Sequence, residues 1–220
     1  RLNYNGNTRI GHLFHNVKMI NGEVTLYTDT LVYDRNKSLG YYKCGGKLVD
    51  SLNTLTSKHG YYYSNTKLAE FRYDVVGFNN NSTIKSDTLT YNTETKISTI
   101  LGPTHIFHSD STIIYSELGW YNSDTDKSKL LKKSLINHGN GKSLAGDTIF
   151  YDKRIGIGEA FHNVTLADTI KKINLYGHYA YYREEGEIGI ITDSAMAVEY
   201  SQKDTTYIHG DTLYSYAHGE

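Results

Sequence analysis

Hydrophobic and polar residues alternate in short stretches along this chain, and one such stretch returns at a nearly constant interval. Residues 24–28, Val-Thr-Leu-Tyr-Thr, lead into Asp-Thr-Leu-Val-Tyr at 29–33. Side chains of a strand point alternately to its two faces, so Leu31 and Tyr33 share one face and Thr30 and Val32 the other. This alternation, bounded by polar clusters, predicts short β-strands.

The motif Asp-Thr-Leu/Ile-x-Tyr recurs at 87–91 and 147–151 and returns at 211–215, where Ser215 takes the tyrosine position. Its aspartates are 58, 60 and 64 residues apart (87−29, 147−87, 211−147). Weaker copies lie midway between them. A tyrosine therefore returns about every 30 residues, which indicates a repeat architecture. These anchor tyrosines are Tyr4, Tyr33, Tyr63, Tyr91, Tyr121, Tyr151 and Tyr182.

Polar clusters rich in Asp and Asn follow the motif copies, for example at 34–38, 92–96 and 122–127. Their side chains can bond the backbone of a tight turn. Regular strands and turns predict an all-β antiparallel sandwich or roll, although a parallel β-helix would share the period. Because strong and weak copies alternate, we expect successive repeats to lie on two different sheets. Residues 1–220 are expected to form a single continuous repeat domain.

Composition narrows the function classes. The 220 residues include 21 Tyr, 20 Gly and 1 Pro, and the net charge of −1 gives no electrostatic basis for binding nucleic acid. The single Cys44 has no disulfide partner, and a small apolar packing role is expected for it. The chain begins at Arg1 inside a repeat, so we expect a piece of a longer protein.

Candidate catalytic and metal-binding residues do not form a convincing set. The motif aspartates Asp29, Asp87, Asp147 and Asp211 recur once per copy and are expected to bond backbone N–H groups at a strand corner. Histidines three apart on a strand, as in His12/His15 and His105/His108, point to opposite faces. No nucleophile–base arrangement is present. The sequence therefore predicts no catalytic residue, no metal, no cofactor and no enzymatic activity.

An apolar set is the better candidate for a binding surface. Leucine and isoleucine residues of the repeats are expected to line the interior, and motif tyrosines to pack its wall or rim, since Tyr has an apolar body and a polar tip. The pattern alone leaves a closed core and a ligand groove equally open. The candidates are Leu26, Leu31, Leu89, Ile149, Leu213, Tyr33, Tyr91 and Tyr151.

The segments Gly-Asp-Thr-Ile-Phe-Tyr at 146–151 and Ser-Asp-Thr-Leu-Thr-Tyr at 86–91 resemble the repeat of the OstA-like/LptA family of lipopolysaccharide-transport proteins. The resemblance covers essentially the whole chain. It implies an elongated antiparallel β-jellyroll, open at both ends, with an apolar groove between two sheets for the acyl chains of lipid A. It also implies a non-enzymatic component of the bridge between the two membranes of Gram-negative bacteria.

The resemblance implies partners and a location as well. The expected partners are lipopolysaccharide or lipid A, other Lpt-type β-jellyrolls joined through edge strands, and further copies of this chain head to tail. The expected location is the periplasm, with an association with the outer membrane. The chain has more repeats than a compact LptA needs, which suggests two or more fused units. Two alternatives stay open: a structural or adhesive surface β-repeat without a lipid site, and a carbohydrate-binding β-domain.

Overall fold

The computed structural model describes residues 1–200 and 204–216, most of which lie in β-strands. The strand pairings with a defined register among these residues are antiparallel, for example β2 (Ile10–Asn21) with β3 (Val24–Asp34). The all-β antiparallel prediction is confirmed. The chain divides into two compact units: Arg1–Ile106 with Asn122–Asp124, and Phe107–Tyr121 with Thr125–Glu220. The prediction of a single continuous domain stays a prediction.

Unit 1 consists of long strand pairs separated by shorter strands. After β1 (Leu2–Asn5), β2 and β3, its strands are β4 (Leu39–Tyr42), β5 (Gly46–Val49), β6 (Thr54–Ser57), β7 (His59–Tyr63), β8 (Leu68–Phe78), β9 (Ser82–Asn92) and β10 (Ile97–Ile100). The strands β11 (Thr104–His108) and β13 (Leu118–Asn122) contribute residues to both units.

Unit 2 also consists mainly of long antiparallel strands joined by turns. Its strands are β12 (Ile113–Ser116), β14 (Lys127–His138), β15 (Lys142–Asp152), β16 (Ile157–Asp168), β17 (Ile173–Arg183), β18 (Ile188–Tyr200) and β19 (Thr205–Ser215). A single 3₁₀ turn at Glu185–Glu187 precedes β18. No helix in the described part of the chain is long and apolar enough to cross a membrane.

The long strand pairs bend at a corner, and a motif aspartate faces this corner on β3, β9, β15 and β19, whereas His178 lies there on β17. The strand opposite carries two consecutive residues with positive φ, where the register shifts; in β2 these are His15 (φ 65°) and Asn16 (φ 51°), across from Asp29 of β3. Such a bulge bends and twists the strand. The corner position of the aspartates is confirmed, but Asp147 and Asp87 accept hydrogen bonds from side chains and not from backbone N–H groups, as in the bond from Asn163 Nδ2 to Asp147 Oδ2 at 2.6 Å.

The prediction that successive repeats lie on different sheets is wrong. The two halves of β3 pair with different short strands, residues 25–28 with β5 and residues 32–34 with β4. Each repeat of about 30 residues therefore contains two neighbouring antiparallel strands, or pairs of short strands, and both pass through the corner. The weak motif copies of β7 and β13 lie on short strands, where an interruption of the strand replaces the bulge and no aspartate need face it.

The tyrosine period has a direct structural cause, because the tyrosines of these rows are paired with small residues on the neighbouring strands. In unit 1 the row of directly paired residues is Tyr4, Gly11, Tyr33, Gly40, Tyr62, Ala69, Tyr91 and Ser98, and in unit 2 it is Ser128, Tyr151, Gly158, Tyr182, Gly189 and Ser215. The predicted anchor Tyr63 is off by one residue: Tyr62 holds this place, and Tyr63 points to the other face.

The polar turns form as predicted. Asp34 Oδ1 accepts the N–H of Asn36 at 2.9 Å, and Asn92 Oδ1 accepts those of Glu94 and Thr95. Successive turns also bond one another, as in unit 2, where Lys153 N–H donates to the carbonyl of Asp126 at 3.1 Å. The turns on this side of each unit are thus bonded both within themselves and to the next repeat.

Candidate functional site

The predicted groove residues fall into two groups. Six of them are 0–3 % exposed: Leu26, Leu31, Leu89, Ile149, Tyr91 and Tyr151. Of these six, Leu31 also borders an open cavity in the first strands of unit 1, which the half-buried Tyr33 lines as well, and Leu213 is half-buried on β19 in unit 2. The candidates are therefore closely packed in both units, and an open cavity adjoins them at the first strands of unit 1.

This N-terminal cavity has a volume of about 470 Å³. All four residues of β1 are exposed, and β2 also has exposed or half-buried apolar side chains. These apolar side chains form most of the cavity wall. Leu2 is 61 % exposed and Ile20 is 62 % exposed. The lining residues are Leu2, Tyr4, Gly11, Leu13, Lys18, Met19, Ile20, Asn21, Leu31, Tyr33, Arg35 and Ser64.

Two cations give the N-terminal cavity a charged border. Lys18 and Arg35 are exposed, and neither forms an ion pair among the described residues. The Lys18 ammonium lies 5.7 Å from the centre of the Tyr27 ring. An apolar wall that ends in exposed ammonium and guanidinium groups suits a ligand with a hydrocarbon part and an anionic head.

A buried polar cluster, which we call the polar lock, lies elsewhere in unit 1 and was missed by the sequence analysis. The Asp50 side chain is fully buried; its Oδ2 accepts the Tyr91 hydroxyl at 2.6 Å and the Lys96 ammonium at 3.0 Å. The Asn53 amide donates to the Tyr91 hydroxyl at 2.8 Å and to Ser123 Oγ at 2.9 Å. Burial raises the pKa of Tyr91, and the adjacent carboxylate adds to the shift. Every member is bonded, so the lock is structural in kind.

Unit 2 has an open polar cavity next to the end of β14, whereas unit 1 has the polar lock next to the end of β5. This polar cavity has a volume of about 300 Å³ and is lined by Asp110, Thr112, His138, Gly139, Asn140, Lys142, Tyr182, Glu184 and Glu187. A much smaller pocket of about 40 Å³ shares four of these residues and reaches apolar side chains such as Leu144 and Leu166.

The charges of the polar cavity are arranged around Glu184. The Tyr151 hydroxyl donates to Glu184 Oε1 at 2.7 Å, and burial followed by this carboxylate raises the pKa of Tyr151. The ammonium of Lys153 lies 2.6 Å from Asp110 Oδ2 and 3.7 Å from Glu184 Oε1. Burial tends to raise the pKa of Asp110, but Lys153 and Thr112 outweigh it and lower that pKa to about 2. His138 Nδ1 lies 3.3 Å from Glu184 Oε1, and burial lowers the pKa of His138.

The remaining sequence candidates have no site geometry. No three His, Cys, Asp or Glu side chains within residues 1–200 and 204–216 are arranged to hold a metal ion. The packing role expected for Cys44 is wrong, because this residue is exposed at the gap between β4 and β5 and its thiol contacts Thr28 and Thr30 Oγ1 at 3.3 and 3.1 Å. The interruption of the strand at this corner leaves the thiol outside the core.

Comparison with known proteins places the chain in a family. Among solved structures it is similar to LptH, the LptA-homologous periplasmic component of the lipopolysaccharide transport device of Pseudomonas aeruginosa, with 16 % identity and a TM-score of 0.48 over 52 % of this chain and 93 % of that one. No curated protein sequence matches. The family model described as OstA-like protein matches residues 1–87 and 61–129. These matches span more than half of the 220 residues, and the chain belongs to the OstA-like protein family.

Proposed function

We propose that this protein is a periplasmic component of lipopolysaccharide transport and that its N-terminal cavity holds an acyl chain of lipid A. Membership of the OstA-like family supports the general role. The observation that carries the finer proposal is the open apolar cavity of about 470 Å³ bordered by Lys18 and Arg35. The protein acts by binding and handing on its ligand, without a chemical step.

The energetics favour binding without catalysis. Each methylene moved from water into an apolar site contributes about 0.8 kcal/mol, so even the end of one acyl chain stabilises the complex by several kcal/mol. The exposed Leu2 and Ile20 side chains would be covered by that chain. The Lys18 ammonium and the Arg35 guanidinium would meet anionic phosphates of the head group.

Two of the predicted groove residues, Leu31 and Tyr33, would contact the lipid directly in this proposal. The other six stay predictions: Leu26, Leu89, Ile149, Leu213, Tyr91 and Tyr151. Five of these lie in closed packing, so an acyl chain could reach them only if the strands around them moved apart. The core is therefore a barrier that transport would have to open, and the cavity is the place where the ligand enters.

We also propose that the exposed strands β1 and β19 join this chain to other Lpt-type β-jellyrolls or to further copies of itself. All four residues of β1 are exposed, as are the first seven of β19. An exposed strand edge can pair with a strand of another chain through backbone hydrogen bonds. Such joining would extend the path for a lipid and would account for an association with the outer membrane.

A matched pair of variants tests the lipid site. Ile20→Asp places a charge in the N-terminal cavity, and Ile170→Asp places one at a turn of unit 2, where Ile170 is 75 % exposed compared with 62 % for Ile20. Native mass spectrometry with lipid A should show a complex with the wild type and with Ile170→Asp, and a loss of about tenfold or more with Ile20→Asp, because a buried charge strongly disfavours an acyl chain beside it.

Two outcomes would contradict the proposal. If the folded wild type forms no complex with lipid A, a structural or adhesive β-repeat becomes the better account. If both variants bind lipid A as the wild type does, the ligand lies outside the N-terminal cavity. Circular dichroism of each variant establishes that the chain is folded.

A further inference from the structure

The turns of unit 2 form two edges, and charged side chains join one edge to the other. The first edge contains the turns at 109–112, 139–141 and 169–172, and the second contains those at 153–156 and 184–187. Lys171 precedes β17 and Glu187 follows it, yet Lys171 Nζ lies 3.5 Å from Glu187 Oε2. A straight strand of 11 residues spans about 35 Å, so β17 folds over at its corner and the two edges meet.

Three more polar contacts join the edges. Lys142 forms a second ion pair with Glu187, the Lys153 ammonium lies 2.6 Å from Asp110 Oδ2, and His138 Nδ1 lies 3.3 Å from Glu184 Oε1. The rings of His138 and Tyr182, 5.4 Å apart, add an aromatic contact. We call the charged set the polar seam; it comprises Asp110, His138, Lys142, Lys153, Lys171, Glu184 and Glu187.

Backbone hydrogen bonds reinforce each edge but do not cross the polar seam. The Thr169 N–H donates to the Gly141 carbonyl at 3.0 Å along the first edge, and the Glu184 N–H donates to the Gly156 carbonyl at 2.8 Å along the second. Within residues 1–200 and 204–216, no backbone hydrogen bond joins the two edges of unit 2. The edges can therefore part without breaking a backbone hydrogen bond.

The carboxylates of the polar seam have access to water. The side-chain exposures are 50 % for Asp110, 35 % for Glu184 and 41 % for Glu187. Ion pairs of this kind contribute little to stability, and salt screens them further. In unit 1 the polar lock joins the turn at 50–53 to Lys96, and there the Asp50 side chain is 0 % exposed. The edges of unit 2 are therefore held together less firmly than the turns that the lock joins.

The apolar interior of unit 2 begins directly behind the polar seam. A small pocket of about 40 Å³ is lined by Lys142, Lys171 and Glu187 of the seam and by Leu144 and Leu166 of the interior. A volume of this size holds about one or two water molecules and no hydrocarbon chain. Parting of the edges would enlarge it and bring Leu144, now 1 % exposed, into reach of an apolar ligand.

From these observations we propose that the polar seam is a gate. Its ion pairs hold the two edges of unit 2 together, and their separation opens the interior behind Leu144 to a hydrocarbon chain. The corner bulges, such as the one at His162 and Asn163, act as the hinge, because the strands bend there. The purpose of the gate rests on the proposed function, since a closed core must open to pass a lipid.

Thiol labelling of a buried cysteine measures how often the gate opens, because a maleimide reacts only with a thiol that it can reach. Leu144→Cys reports on the polar seam, and Leu48→Cys, at a position 0 % exposed in unit 1, reports on the lock; both carry Cys44→Ser to remove the native thiol. Between about 50 mM and 1 M sodium chloride, the labelling rate of Leu144→Cys should rise about threefold or more, because salt screens the seam. Leu48→Cys should show no such rise.

Charge reversal at Glu187 tests the ion pairs in the Leu144→Cys background. Glu187→Lys places a third cation beside Lys142 and Lys171 and should raise the labelling rate at least about tenfold. Glu185→Lys is the matched control, because Glu185 is exposed in the same turn and forms no ion pair among the described residues; it should not change the rate. Lys142→Glu combined with Glu187→Lys re-forms one pair and should reverse most of the increase.

Several outcomes would overturn the gate. Equal labelling rates in Glu187→Lys and Glu185→Lys would do so, as would a Leu144→Cys rate that salt does not change. A parallel rise at Leu48→Cys would mean that the whole chain unfolds. If Glu187→Lys does not fold, Glu187→Gln replaces it, with an expected rise of about threefold. No lipid is present in these measurements, so failure of the gate and failure of the lipid site are separate results.

Discussion

Asp50 in unit 1 and His138 in unit 2 both lie at the end of a strand, directly before a turn, and both approach a motif tyrosine. Asp50 accepts the Tyr91 hydroxyl and the Lys96 ammonium, and no polar atom of that lock lacks a partner. His138 lies beside Tyr151 with a ring separation of 6.0 Å and lines an open cavity, while its buried Nε2 has no hydrogen-bond partner. The same kind of position in the repeat can therefore be closed by a saturated network or can border an open cavity.

The largest difference between the two regions should appear in stability. Asp50→Ala removes the acceptor of the Tyr91 hydroxyl and the Lys96 ammonium, and leaving the Lys96 side chain, which is only 16 % exposed, unpaired should lower the free energy of unfolding by about 3 kcal/mol. Asp110→Ala in unit 2 removes a carboxylate whose side chain is 50 % exposed and should cost less than about 1 kcal/mol. Urea denaturation measures both. Equal losses would contradict the distinction between a lock and an open cavity.

Truncation of the enclosed groove candidates tests whether the interior is a closed core. Leu89 in unit 1 and Ile149 in unit 2 are both 0 % exposed. Leu89→Ala and Ile149→Ala should each lower the free energy of unfolding by about 2–5 kcal/mol, because each leaves a cavity among packed neighbours. A loss below about 1 kcal/mol in urea denaturation would mean that these side chains face open space.

Alkaline pH should weaken both units through their buried tyrosines. Burial raises the pKa of Tyr42 in unit 1 and of Tyr182 in unit 2 to about 12 each, above the ordinary value of 10.0. A raised pKa means that the folded state keeps the proton longer. The contribution is therefore complete below pH 10 and is lost as the pH rises from 10 through 12, by about 2 kcal/mol for Tyr42 at pH 12.

Urea denaturation at several pH values between 8 and 12 measures this loss, and ultraviolet absorbance of tyrosinate shows when the rings ionise. Stability that is unchanged up to pH 12 would contradict the burial of these hydroxyls. Tyr42→Phe is the matched control. This variant should lose less stability between pH 10 and 12 than the wild type, because it lacks the ionisable hydroxyl that bonds Ser57 Oγ.

The smallest effect concerns the corner aspartates. Asp147 in unit 2 and Asp29 in unit 1 are both exposed, and Asp147 accepts a hydrogen bond from the Asn163 amide at 2.6 Å. Asp147→Ala should cost about 0.5–1.5 kcal/mol and Asp29→Ala less than about 0.5 kcal/mol. Thermal unfolding monitored by circular dichroism can rank the two. A larger loss for Asp29→Ala would mean that the motif aspartate stabilises the corner by a different interaction.

Much of the fold could be predicted because its determinants are local. The alternation of side chains defines the strands, and Asp or Asn at the turns bonds the adjacent backbone, so both are readable from short stretches of sequence. The corners carried a weaker signal. Four of the five two-residue bulges contain Asn or Asp, which tolerate positive φ (Asn16, Asp74, Asn163 and Asp193), but Lys132-Lys133 forms the same corner without either.

The sites could not be predicted because they depend on residues far apart in the chain. The lock joins Asp50 to Tyr91 and Lys96, separations of 41 and 46 residues. Leu31 and Leu89 both lie on an interior face, as the alternation predicts, but the alternation cannot show that a cavity adjoins Leu31. Whether neighbouring strands fill the space beside a residue is decided by packing and not by its own pattern.

The central claim is that a lipid contacts unit 1 at its N-terminal cavity, and site-specific photo-crosslinking tests it most directly. A photoreactive phenylalanine analogue would replace Tyr4, which is 52 % exposed in the cavity, or Tyr207, which is 62 % exposed on β19. On irradiation with lipopolysaccharide, the account predicts a lipid adduct at position 4 and little or none at position 207. Adducts at position 207 without any at position 4 would contradict it.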